Sequence, residues 1–212
     1  MVRGRSPTYD SQREQILAQA AALFAQRGYP GTSMNEVAEA CGLSKPTLYH
    51  YVRDKHELLV LITQGHIDRL EAVVHEVTQQ NLAPEPRLRR MILRFVEEYA
   101  DAKNAHRALT EDVRFLEPID RERVLAGERR VVAAFADAVA EMRPGTAAAA
   151  MDKPLTMLLF GMINWMFTWM RPGGTLTHAD MAPIVADLFF GGLGAVRLNR
   201  KRTRRIARVA LA

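Results

Sequence analysis

Apolar residues recur along most of this chain at intervals of three and four, the spacing that puts them on one face of a helix. Ile16, Leu17, Ala20, Leu23 and Phe24 set the pattern behind Ser11-x-x-Glu14, which reads as a capping box, and Gly28 stops it before a turn at Tyr29-Pro30-Gly31. Ser33-x-x-Glu36 reads as a second box, opening a short helix with Val37 and Ala38 inward and ending at Cys41-Gly42-Leu43. Ser44 is a good N-cap for a third short helix, with Pro46 in its first turn where a missing N–H costs little. Asp54-x-x-Glu57 starts a long helix running to about Asn81. Pro84 and Pro86 separate it from helices at roughly 87–103 and 105–116, and Pro118 precedes one from Ile119 to Met142. Pro144-Gly145 closes that helix. An apolar one follows at 152–171, and Thr177-x-x-Asp180 caps the last, to about Leu198. Neither a strand nor a repeat is discernible, so the spacing predicts an all-α fold of about nine helices.

Leu155 to Met170 is the one stretch that imitates a membrane span. It falls short of the roughly 20 residues a bilayer requires and carries Thr156, Asn164 and Thr168, which favours a helix buried in protein. With 48% hydrophobic and 25% charged residues, the chain has the composition of a folded globular protein. Its one cysteine, Cys41, excludes an internal disulfide, fits a reducing cytoplasm and reads as a packing residue rather than a redox sensor.

The net charge of +5 is unevenly spread. Residues 1–55 hold seven Lys/Arg against five Asp/Glu, residues 56–196 hold 15 against 19, and the rest holds seven cations and no acid. The head and the tail are therefore the parts suited to phosphate. The boundaries expected are 1–55 for the head, 56–198 for the body and 199–212 for a basic tail that reads as a solvated end, with DNA contact as the alternative.

Two short helices joined by a Gly-containing turn over residues 33–51 form the plan of a helix-turn-helix, whose second helix enters the major groove. Ser44, Lys45, Pro46, Thr47, Tyr49 and His50 then lie on or beside the outward face, and Tyr51 is shared between that face and the core. Lys45 can bond guanine edges or phosphate, and Thr47 can meet a thymine methyl. Thr32, Ser33 and Lys55 stand at helix starts on either side, placed to grip phosphates.

The stretch from Ile16 to Leu59 resembles the DNA-binding domain of the TetR/AcrR family. The shared positions include Leu23-Phe24, Gly28, Thr32-Ser33, Val37-Ala38, Gly42-Leu43-Ser44, Leu48-Tyr49-x-Tyr51 and Lys55-x-x-Leu58-Leu59. The resemblance implies a homodimeric transcriptional repressor on a palindromic operator in double-stranded DNA. It also implies that Tyr49, His50, Tyr51 and Lys55 contact DNA, that the last two long helices pair with those of a second copy, and that a small-molecule inducer binds the body. Interior glycines at 161, 191, 192 and 194, each costing about 1 kcal/mol against alanine, support close approach of two backbones there.

The block LLFGMINWMFTWMRPGGTL and the segment LTEDVRFLEPIDRERV are similar to those of TetR regulators of aromatic-acid, steroid and fatty-acid breakdown, the phenylacetate-degradation repressors among them. That similarity implies an acyl-CoA thioester such as phenylacetyl-CoA as inducer; a hydrophobic drug-like ligand and control of efflux form the alternative. Phe95, Tyr99, Phe115, Trp165, Met166, Phe167 and Trp169 are the candidate pocket walls, and His106, Arg114, Asn164 and Arg171 the candidate polar contacts. Neither a nucleophile elbow, a metal-ligand spacing nor a P-loop is present in the sequence, and Gly192-x-Gly194 runs into Arg197 where a dinucleotide fingerprint needs glycine. No catalytic role, metal or cofactor is therefore expected, and a sequence-indifferent DNA binder is the remaining competitor.

Overall fold

The computed structural model describes residues 7–170 and 174–196. The expected tail and Arg171 lie outside the described residues, as does the side chain of Phe167. Among the described residues there are ten α-helices and one 3-10 turn, with no strand: α1 Pro7–Gly31, α2 Met34–Ala40, α3 Lys45–Tyr49, α4 Lys55–Gln79, α5 Pro84–Asp101, α6 Lys103–Asp112, the 3-10 turn Val113–Phe115, α7 Pro118–Met142, α8 Gly145–Ala148, α9 Asp152–Trp169 and α10 His178–Ala195. Among these residues no helix is long and apolar enough to cross a membrane.

Several ends follow from local chemistry. Ser33 and Glu36 form both halves of a capping box, as do Thr177 and Asp180. Ser44 Oγ accepts from Thr47 N at the start of α3. Gly28 breaks the regular course of α1 with φ 74° and ψ 156°, a conformation that side chains resist, so Tyr29–Gly31 forms a separate helical turn. Gly42, at φ 64°, makes the left-handed residue of the α2–α3 turn.

Three expectations are corrected. The Ser11–Glu14 pair is not a cap, because α1 begins at Pro7 and Ser11 lies inside it. Pro84 and Pro86 do not precede α5 but occupy its first turn, where proline lacks only an N–H that has no helical partner. The single turn α8 follows Pro144 and has no counterpart in the sequence reading.

The chain divides into two compact units. One comprises residues up to Asp68 together with Ala102–Ala126, and the other comprises Arg69–Asp101 together with the residues from Gly127 on. This differs from the expected boundary after residue 55. The first unit packs α1 against α6 and gathers Ile16, Ala20, Phe24, Val37, Leu48, Leu58 and Leu59 into its core. In the second, α10 packs on α5 and on α9, around Leu88, Ile92, Phe95, Phe135, Leu159 and Phe189. Burial of such side chains contributes roughly 1.5–3 kcal/mol each.

Candidate nucleic-acid interface

Leu48 is fully buried, Val37 and Ala38 of α2 are buried too, and α2 packs against α3, so α3 is held by one side. Its other side is open: Ser44, Lys45, Pro46, Tyr49 and His50 are exposed. A five-residue helix presenting two donors, a phenol and an imidazole to solvent has the dimensions and chemistry of a major-groove reader. Thr47 is half-buried, and its hydroxyl is 2.7 Å from that of Ser44, so the two share a proton on the face that would meet DNA.

Tyr51 is half-buried and stacks on Tyr9, with centroids 4.7 Å apart and planes 24° from parallel. The first turn of α1 thus braces the end of the recognition helix. This part for Tyr9 was not legible locally, since a helix starting at Ser11 leaves Tyr9 outside that helix.

Lys55 and Thr32 are placed differently from the sequence expectation. Thr32 is 2% exposed and gives its hydroxyl to Gly28 O at 3.0 Å, so that group is not presented to phosphate. Lys55 Nζ donates to Tyr29 O at 2.9 Å and Thr32 O at 2.8 Å, and lies 4.5 Å from the Tyr29 ring centroid. The ammonium neutralises carbonyls at the end of α1 and so holds the entry of α4 to the turn that precedes α2. A hint existed in the sequence: a cation in the first turn of a helix opposes the dipole unless acceptors meet it. Ser33 is exposed but engaged with Glu36, whose carboxyl lies below its ordinary range because Ser33 N–H and hydroxyl bind it and Arg27 stands beside it.

Behind the head, Tyr29 N donates to Asp112 Oδ1 at 3.4 Å and its ring stacks on Phe115 at 5.5 Å. Burial pushes the Asp112 carboxyl up, and burial followed by the charges of Asp54, Asp112 and Glu117 does the same to the Tyr29 phenol. Glu117 N donates to His56 Nε2 at 3.2 Å. These links carry residues 102–126 into the first unit and explain why it does not end near residue 55. His106 is also there, buried, with Nδ1 3.2 Å from His66 Nε2. Burial drops its pKa to about 4. Burial likewise raises the Cys41 thiol, which disfavours the reactive thiolate.

The candidate effector residues are not gathered in one unit. His106, Arg114 and Phe115 belong to the first, with Arg114 exposed and its guanidinium 4.8 Å from the Phe115 ring. Phe95, Tyr99, Asn164, Trp165, Met166 and Trp169 belong to the second. There Phe95 meets Phe135, Phe160 and Tyr99 at centroid distances of 4.7, 6.1 and 6.0 Å. Met166 is buried, whereas Trp165 and Trp169 are 66% and 48% exposed. Sequence reasoning missed Glu128, a half-buried acid whose carboxyl is pushed up by burial and whose charge bears on Tyr99.

The two tryptophans share the outer side of α9 with Met157, Leu158 and Gly161, and Ile184, Leu188, Gly191 and Gly192 line the outer side of α10. Among the described residues, a Cβ added at Gly161, Gly191, Gly192 or Gly194 would meet no atom of another turn or element within 4 Å. Such an apolar, small-residue face on two helices is unlike an ordinary solvated surface.

Residues 16–62 match the family described as bacterial regulatory proteins, tetR family, and residues 81–193 match the tetracyclin repressor-like C-terminal domain. The chain is 24% identical over 187 residues to the HTH-type transcriptional repressor KstR2 of Rhodococcus jostii, covering 87% of this chain and 92% of that one. It is 31% identical over 116 residues to the HTH-type transcriptional activator FasR of Mycolicibacterium smegmatis, a match spanning 55% of this chain and about half, 53%, of that relative. Among solved structures, a TetR-family regulator from Bordetella parapertussis superposes with a TM-score of 0.81 at 32% identity, covering 87% of this chain and 97% of that one. AibR in complex with isovaleryl coenzyme A and operator DNA superposes with a TM-score of 0.72 at 25% identity, covering 84% and 97%.

Proposed function

The chain belongs to the TetR family of ligand-responsive transcriptional regulators, and from that premise we propose that it is a homodimeric repressor, with no enzymatic activity, which an acyl-CoA thioester releases from a palindromic operator. The genes it controls then serve breakdown of aromatic or fatty acids. The observation that carries the DNA half is the open edge of α3, with Lys45, Tyr49 and His50 exposed above a buried Leu48. Base edges are read by such side chains, and flanking groups set the register. The outer face of α9 and α10 supports the dimer, and a dimer carries two α3 helices, one for each half of a palindrome. Support for the thioester comes from AibR, whose solved complex holds isovaleryl coenzyme A and operator DNA, and from the phenylacetate-type segments of the sequence.

The test starts from a duplex selected from random DNA by the purified protein. Its anisotropy is followed with the full chain while phenylacetyl-CoA and other thioesters are added, and sedimentation is run alongside. The expected result is a dimer that prefers the selected duplex to bulk DNA by about a thousandfold or more and loses it on adding a thioester without falling apart. Unchanged operator affinity across the thioester panel, with release by hydrophobic drug-like molecules instead, would transfer the assignment to efflux control.

A further inference from the structure

Threonines inside these helices ordinarily return their hydroxyl to the preceding turn. Thr63 gives it to Leu59 O at 2.8 Å, Thr78 to Val74 O at 2.7 Å, Thr110 to His106 O at 3.2 Å and Thr168 to Trp165 O at 2.6 Å. Thr156 on α9 does not. It is fully buried, and its Oγ1 has no hydrogen-bond partner among the described residues. Two turns further along the same helix, Asn164 Oδ1 is also buried without a partner among the described residues. Phe160 lies between them on the inner side of α9, 4.9 Å from Phe135 and 6.1 Å from Phe95 by ring centroids. All five residues belong to the second unit. A buried polar group without a partner is costly, and two of them flanking an aromatic cluster form a polar, apolar, polar strip.

We infer that this strip reads the effector, and that the effector is an acyl thioester whose cyclic acyl body carries a hydroxyl at its far end. The inference rests on the thioester reading of the preceding section and specifies it. The Thr156 hydroxyl donates to the thioester carbonyl, and the ligand's hydroxyl donates to Asn164 Oδ1. The ring lies against Phe160, where aromatic pairing adds to its burial. Spacing selects the size: eight residues of helix span about 12 Å, and a hydrogen bond of about 2.8 Å at each end leaves roughly 6–7 Å between the ligand's two polar atoms, about one substituted six-membered ring. A site built to bond a hydroxyl discriminates against the analogue without it, because its acceptor is then left buried and unpaired.

Titration calorimetry of the full-length dimer with 4-hydroxyphenylacetyl-CoA, phenylacetyl-CoA and coenzyme A decides this, using wild type, Thr156→Val and Asn164→Leu. The wild type is expected to bind the hydroxylated thioester about tenfold more tightly than the plain one, and Asn164→Leu to erase that preference. Thr156→Val should weaken both thioesters by a similar factor while leaving the melting temperature without ligand unchanged or raised, since it removes an unpaired hydroxyl. A preference that survives Asn164→Leu, or thioester affinities untouched by Thr156→Val, would mean that the strip holds a trapped water or nothing at all, and would overturn the inference while the thioester reading stood. Binding of neither thioester by the wild type would remove both.

Discussion

Lys55 bonds the main-chain carbonyl of Tyr29 at 2.9 Å while standing 4.5 Å from the centroid of that residue's ring. With its second bond, to Thr32 O at 2.8 Å, it fastens the start of α4 to the end of α1. Charge-assisted bonds of this kind contribute about 1.5–3 kcal/mol when removal strands the acceptors. Lys55→Met should therefore lower the melting temperature in the absence of DNA and weaken binding to every duplex. The salt dependence separates this from a phosphate contact: a lost phosphate contact would reduce the slope by about 1, whereas loss of an internal brace leaves it unchanged.

The Tyr9–Tyr51 stack bears on α3 rather than on the body. An aromatic pair contributes about 0.5–1.5 kcal/mol beyond burial. Tyr9→Ala should thus weaken operator binding by about three- to tenfold, with bulk DNA much less affected, because only base reading needs α3 accurately set. Tyr9→Phe should restore wild-type affinity, since the phenol's contact with His50 O is 3.5 Å long. Equal losses on operator and bulk DNA would refute a positioning role.

His106 makes the protein sensitive to acid. Its pKa in the fold is about 4 and the ordinary value is 6.5. Between these values the unfolded chain takes up a proton that the folded chain refuses, so His106's contribution is complete above about pH 6.5 and is lost as pH falls toward 4. Melting curves between pH 7 and 4 should show wild type losing stability through that window. His106→Gln, which can still bond His66 but does not titrate, should show a shallower decline. Parallel curves would exclude His106 as the source.

The open glycines of α9 and α10 allow a clean test of assembly. Gly161→Leu and Leu188→Glu alter atoms that touch nothing or face solvent in one protomer. Both should keep full helical circular dichroism yet sediment as monomers, and operator binding should fall by at least about a hundredfold as one half-site is lost. A dimer with normal operator affinity in both variants would show that this face is not the seam.

The fold was legible where its determinants are local. Ser33–Glu36, Ser44–Thr47 and Thr177–Asp180 each close over three residues, and the helices they open are where spacing placed them. Ser11–Glu14 shares that spacing but lies within a helix already begun at Pro7, and spacing alone cannot distinguish a cap from two exposed helical positions. The exposed edge of α3 was likewise legible, being one face of one short helix. What was not legible depends on partners far along the chain. The internal bonds of Thr32 to Gly28 O and of Lys55 to Tyr29 O and Thr32 O could not be read from spacing. Nor did spacing show that His106 faces His66, forty residues away. Aromatic residues in an apolar helix suggest an interior, and the sequence did not show that Trp165 and Trp169 share an exposed side of α9 with Gly161.

Thr156 makes heat tolerance and responsiveness pull in opposite directions. Breeding this chain for survival at high temperature alone would favour valine at that position, because no group among the described residues rewards the hydroxyl. The survivors would fold more robustly and still grip their operator, but they would answer its inducer poorly, leaving a switch fixed in its closed setting.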